Sequence, residues 1–128
     1  MMYHPDLGRL LLRLTLGGLL LFHGLTKLFQ GVGYIGQEIA TYGLPAELAY
    51  LVFLGEIVAP MMIILGYQTA VGAGLIIMNM IIAVGLAHRD DLLMISNTGG
   101  FGLELQMFYL MTAIIILLMG PGKYRLKN

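Results

Sequence analysis

Four apolar runs, separated by short polar or glycine-rich joints, dominate the chain. They extend over residues 7–29, 46–66, 69–88 and 103–120. Each approaches the roughly 20 residues that an α-helix needs to cross a bilayer. No separate soluble domain and no solenoid repeat interrupts them. The pattern predicts one domain over residues 1–128, an all-α membrane protein built as a four-transmembrane-helix bundle. A short surface helix is expected between the first two spans, over Tyr34 to Tyr42, with Gly43 as its C-terminal cap. The tyrosines at its ends suit the headgroup layer.

The first run, LGRLLLRLTLGGLLLFHGLTKLF, is not uniformly apolar. At about 100° per residue, Arg9, Arg13, Gly17, Leu20, His23, Gly24 and Lys27 fall on one side. Leu11, Phe22 and Leu25 fall on or near the other. A basic side chain at the middle of an inserted helix costs about 2.5 to 3.5 kcal/mol, so the polar side must face protein or water. The second run carries Glu56 and Pro60. Proline has no N–H, and the carbonyl it deprives of a helical donor is that of Glu56, so a kink is expected beside a mid-membrane carboxyl group. Asn79 lies within the third run and reads as an interhelical hydrogen-bonding group. Gly66, Ala70 and Gly74, like Gly55 and Ala59, are spaced for close helix approach.

Composition narrows the picture further. The chain is 59% hydrophobic and 11% charged, against about 25% charged for a soluble domain. Its formal net charge is zero, which gives no basis for nucleic-acid binding. It has no cysteine, so disulfides, thiol redox chemistry and iron–sulfur ligation have no ligands here. The N-terminal run is too long for a signal h-region and lacks a small-residue cleavage site, so it is expected to be retained. Basic residues in the flanks favour both termini on the cytoplasmic side, with the Gly66–Thr69 turn, and the loops around Tyr34 and Asp90 outside. The loop from His88 to Gly102 is the one long polar joint; its Arg89, Asp90 and Asp91 show no recognisable metal-ligand spacing.

Depth arithmetic suggests partners for the buried charges. Arg13 lies about 9 Å into its helix and Glu56 about 15 Å from either end of its own, a gap that an arginine side chain can bridge. An Arg13–Glu56 pair and a Lys27–Glu104 pair are therefore expected, with His23, His88 and Arg89 near the outer end. His23 and His88 are also the two imidazoles on different spans that a haem would need.

The order of these features resembles the DoxX-like membrane proteins, small four-helix proteins of the bacterial inner membrane. The resemblance rests on LLRLTLGGLLLFHGLTKLF, on Gly43-Leu44-Pro45, on LGEIVAPMMIILGYQT, and on Gly120-Pro121-Gly122 with its basic tail. Where members often carry glycines after the second-span Glu, this chain has Ile57-Val58-Ala59-Pro60. The resemblance implies a multi-pass inner-membrane protein, a redox-associated subunit or accessory protein linked to quinone. Its expected surroundings are the lipid bilayer and a soluble or membrane redox partner, with room for a homo-oligomer. The intramembrane polar candidates are Arg13, His23, Lys27, Glu56, Asn79 and Glu104. A quinone head needs hydrogen-bond donors and a proton path, which His23, Lys27, Glu56 and Glu104 can supply. The competing classes are a small proton-coupled carrier and a structural or anchoring protein without chemistry of its own. A carrier would usually show a duplicated hydropathy pattern, and none is evident.

Overall fold

The computed structural model describes residues 2–87, 95, 100 and 102–127. His88, Arg89, Asp90 and Asp91, with the loop readings and the haem reading built on them, lie outside the described residues.

All regular structure is helical among the described residues. Helix α1 spans Pro5–Gln30 and begins with proline and Asp6 in its first turn, where a missing N–H and an acidic group are tolerated. Gly31, at φ +88°, ends it, and its N–H returns to the Lys27 carbonyl. Helix α2, Gly33–Ala40, is the short helix between the first two spans, slightly shorter than its sequence suggests. Its turn back closes through Gly43 at φ +78°.

The second apolar run is not one continuous α-helix. It opens as a 3₁₀ segment at Ala46–Leu51, loosens into a π turn at Leu54–Val58, and becomes α3 at Ala59–Leu65. The cause is local. Pro60 cannot donate, so the carbonyls ahead of it must find donors elsewhere, and a π turn shifts donors one residue further on. The N–H of Ala59 accordingly reaches back five residues to the Leu54 carbonyl. Where a kink at Pro60 is expected from the sequence, the chain forms a π turn that contains Glu56.

Gly66 in the left-handed region and the tight turn at Gln68 reverse the chain into α4, Thr69–Ala87. Helix α5 spans Glu104–Met119. Three helices, Pro5–Gln30, Ala46–Leu65 and Thr69–Leu86, are long and apolar enough to cross a membrane. The fourth, α5, has 16 residues, about 24 Å at 1.5 Å per residue.

α1 packs against α3, the π turn and α5, while α4 packs against α3, the π turn and α5. The four long elements therefore form a closed square. Its core holds Leu16, Leu20, Ala59, Ile63, Ala73, Ile76, Tyr109, Ala113 and Ile116. A smaller cluster, Val32, Ile39 and Ala49, seats α2 on the start of the second span. Large apolar side chains such as Phe22, Phe29, Phe108 and Leu118 point outward and are 69–84% exposed, as a lipid-facing surface requires.

Candidate functional site: a carboxylate at the base of an apolar cavity

Two charged side chains are almost fully buried, Arg13 at 1% and Glu56 at 2% exposure. They do not meet. The expected Arg13–Glu56 pair is replaced by two separate arrangements, because the helices settle in an antiparallel register that the glycines dictate. A methyl group on Gly17 would collide with Ile64 and the Pro60 carbonyl, and one on Gly24 with the Glu56 carbonyl. This close contact puts Arg13 level with Ile63 and Ile64, about two helical turns from Glu56. The end of α1 that carries Lys27 is brought to Glu56 instead.

Arg13 spends its guanidinium on backbone. Its Nε donates to the Ile63 carbonyl at 2.9 Å and its Nη2 to the Ile64 carbonyl at 3.2 Å. Its Nη1 donates to the carbonyls of Pro121 and Tyr124. The first two acceptors lie in the last turn of α3, where carbonyls run short of helical donors; that of Ile63 also accepts the Gly66 N–H at 3.3 Å. A cation there also suits the negative end of the helix dipole. Arg13 thereby ties α1, the end of α3 and the tail after α5 together.

Glu56 is held from two helices. Lys27 Nζ donates to Oε1 at 2.6 Å, and Asn79 Nδ2 donates to Oε2 at 3.0 Å. Glycine makes the second contact possible, since a side chain on Gly55 would occupy the space of Asn79. The expected Lys27–Glu104 pair is therefore also replaced: Lys27 turns inward to Glu56. Glu104 is exposed at the start of α5 with its carboxylate over Gly100. His23 sits at the edge of the buried face rather than within it; it is exposed, with its ring edge-on to buried Tyr109 at 5.8 Å between centroids.

The ion pair does not end in solid protein. Lys27, Glu56, Gly55 and Asn79 line one part of a cavity of about 420 Å³. Its other walls are apolar, from Leu54, Leu75, Met78 and Ile82 of the spans and Ile35 and Ile39 of α2, with Tyr34 also at the wall. Lys27 retains 22% side-chain exposure, against 3% for Glu56, so the ammonium is the more accessible member of the pair. The arrangement places one acid, one base and one amide at the polar end of an otherwise greasy chamber, with α2 forming part of its cover. Of the sequence candidates, the structure brings Lys27, Glu56 and Asn79 together. It places Arg13, His23 and Glu104 elsewhere. Sequence reasoning did not anticipate the cavity role of α2 and Tyr34, nor the carbonyls that Arg13 binds.

No curated protein and no solved structure matches the chain. The DoxX family model matches residues 8–89, which include all but the first three residues of α1, with α2, the whole second span and α4, and therefore all three members of the cluster. On that match, over more than half its length, the chain belongs to the DoxX family, and its apolar helices make it a membrane protein.

Proposed function

We propose that the chain is a four-span protein of the bacterial inner membrane, with both termini cytoplasmic. In this reading the Lys27–Glu56–Asn79 cluster is the polar end of a site for a lipid-soluble quinone, handled together with a redox partner protein. The observation that carries the reading is a buried, ion-paired carboxylate that borders an apolar cavity instead of being sealed in the core.

Physical chemistry supports each part. An ammonium–carboxylate pair is neutral overall, so the chamber favours an uncharged ligand. An ammonium has three donors, and Glu56 takes one of those on Lys27. A second can meet a carbonyl oxygen of the ligand. Lys27 and Glu56 are hydrogen-bonded to each other, so a proton accepted or released at the ligand has a neighbouring acid–base pair to exchange with. The apolar walls suit a ring and the start of an isoprenoid tail. Basic residues at the end formed by the N-terminus and the tail support a cytoplasmic position for that end. α5 is short for a span, a mismatch that local thinning of the bilayer accommodates at modest cost.

The test is retention of quinone on purification in mild detergent. The wild-type chain is expected to carry stoichiometric quinone through size-exclusion chromatography. Lys27→Met with Glu56→Leu, which keeps the interior neutral, is expected to elute as a folded protein without it. A wild-type chain that neither retains quinone nor binds an added short-tailed analogue overturns the proposal. So does a folded double variant that binds as the wild type does.

A further inference from the structure

The seven basic and seven acidic side chains of the sequence cancel, but the fold sorts them. Arg9, Arg13, Lys123, Arg125 and Lys127 gather where α1 begins and α3 and α5 stop, with Asp6 as the carboxylate there. Glu38, Glu47 and Glu104 lie on elements at the other end, and Glu56 lies between. The bundle is thus strongly basic at one end although its net charge is zero.

At the basic end the segment after α5 is fixed in place. Arg13 binds the carbonyls of Pro121 and Tyr124, and Asp6 accepts the N–H of Lys123 at 3.1 Å. Further on, Leu126 and Lys127 donate to the carbonyls of Leu65 and Gly66, and Gln68 donates to the carbonyl of Lys127 at 2.7 Å. These backbone bonds form a strap across the turn between α3 and α4. Lys123, Arg125 and Lys127 are all exposed on it; Arg125 also donates to the Gly122 carbonyl at 2.6 Å, and Lys123 Nζ lies 5.2 Å from the centre of the Tyr124 ring. Between them, Tyr124 is 46% and Leu126 is 70% exposed. Among the described residues the ion pairs are Arg9–Asp6 and Lys27–Glu56, and neither takes up the side chain of Lys123, Arg125 or Lys127.

We propose that this strap is a binding platform for the phosphate headgroups of anionic phospholipids in the surrounding leaflet. Charge selects the partner: three exposed cations sit beside a buried fourth, Arg13. Position selects a lipid over a soluble anion. The strap lies level with the ends of helices that expose the apolar side chains Leu7, Leu65, Leu118 and Met119. Tyr124 and Leu126 offer an amphipathic ring and an aliphatic chain between the cations, the composition that settles at a headgroup boundary. This platform is independent of the cavity beside Glu56.

Tryptophan fluorescence gives the test, because the chain has no tryptophan of its own. Tyr124→Trp places a reporter in the strap, and Phe29→Trp places one at the far end of α1. Each is reconstituted in phosphatidylcholine vesicles containing either brominated phosphatidylglycerol or brominated phosphatidylcholine at equal mole fraction. The residue 124 reporter is expected to be quenched preferentially by the anionic lipid, with an apparent enrichment of about tenfold or more, since each cation near a surface contributes about 1 kcal/mol. The preference should vanish near 1 M salt, where the screening length is about 3 Å. It should also vanish in K123Q/R125Q/K127Q, while quenching by the neutral brominated lipid persists and shows that the protein is still inserted. Equal quenching by both lipids, an equal preference at residue 29, or a preference that survives the triple substitution overturns the proposal. So does loss of the preference with inorganic phosphate beyond that with chloride at the same ionic strength, which would make the platform a soluble-phosphate site.

Discussion

Arg13 and Glu56 are equally hidden, and the protein uses them differently. Among the described residues Arg13 has no carboxylate partner; backbone carbonyls from two separate segments take four of its five N–H donors. Those bonds join helix ends and do not border the apolar cavity. Glu56 has a complete set of side-chain partners, but those partners border an apolar cavity, and Lys27 keeps part of its surface and some of its donors available. Burial of a charge therefore does not by itself mark a functional group in a membrane helix. What separates the two cases is whether the partners are consumed within protein or open onto space. Arg13 closes a helix end and holds a strap. Glu56 is poised at the base of a chamber.

The sharpest way to break this contrast is to remove Arg13. Arg13→Leu leaves the carbonyls of Ile63, Ile64, Pro121 and Tyr124 without their shared donor. Each buried acceptor left unsatisfied costs about 1 to 3 kcal/mol; the Ile63 carbonyl keeps the Gly66 N–H, so the other three set an expected loss of about 3 kcal/mol or more. Arg13→Lys should recover only part of it, because a single ammonium lacks the fork that reaches both segments. Thermal unfolding in detergent measures the loss, and protease cleavage within residues 121–127 should rise in step. A variant of wild-type stability with a protected tail would show that the strap is held without Arg13.

Next in size is the interaction of Lys27 with Glu56, measured by a double-mutant cycle. Lys27→Met alone leaves a buried carboxylate and is expected to cost about 3 to 5 kcal/mol, whereas Glu56→Leu alone leaves an ammonium that keeps 22% exposure and should cost less. The double variant should recover much of that, giving a coupling of about 3 kcal/mol, the upper end of what residues in contact show. The cycle between Arg13 and Glu56 should instead be additive to within about 0.5 kcal/mol. Coupling between Arg13 and Glu56 together with additivity between Lys27 and Glu56 would reverse the partner assignment.

How much of this was legible in the sequence follows from what sets each feature. Helix existence and the short α2 follow from hydropathy and glycine placement, which are local. So does the irregularity beside Glu56, since a proline removes a known donor. Partner choice does not follow, because it depends on the register between α1 and the second span. Depth counted from helix ends treats each helix alone, and it brought Arg13 within reach of Glu56. The actual register is set by Gly17 and Gly24 against Pro60 and Glu56, a contact between two surfaces. Angular position alone puts His23 with the buried face, yet it is exposed at that face's edge with its ring against Tyr109 of α5. Backbone carbonyls as the partners of Arg13 leave no mark in side-chain patterning at all.

The smallest effects test whether the glycine contact really fixes that register. Gly24 and Gly18 lie on the same helix, but their surroundings differ. A methyl group at Gly24 would meet the Glu56 carbonyl and the Ile57 side chain, whereas one at Gly18 would meet nothing within 4 Å. The Cα–H of Gly24 thus points at the Glu56 carbonyl, a weak contact of the kind that recurs where membrane helices pack closely. Gly24→Ala must separate the helices or shift them, at about 1 to 3 kcal/mol. Because Lys27 is one turn further along α1, the same shift should lengthen the Lys27–Glu56 bond and weaken quinone retention. Gly18→Ala should be neutral or stabilising by up to about 1 kcal/mol, since alanine is the better helix former and space is free. If the two alanine variants unfold at the same temperature and retain quinone equally, the close approach at Gly24 does not set the register, and the separation of Arg13 from Glu56 needs another cause.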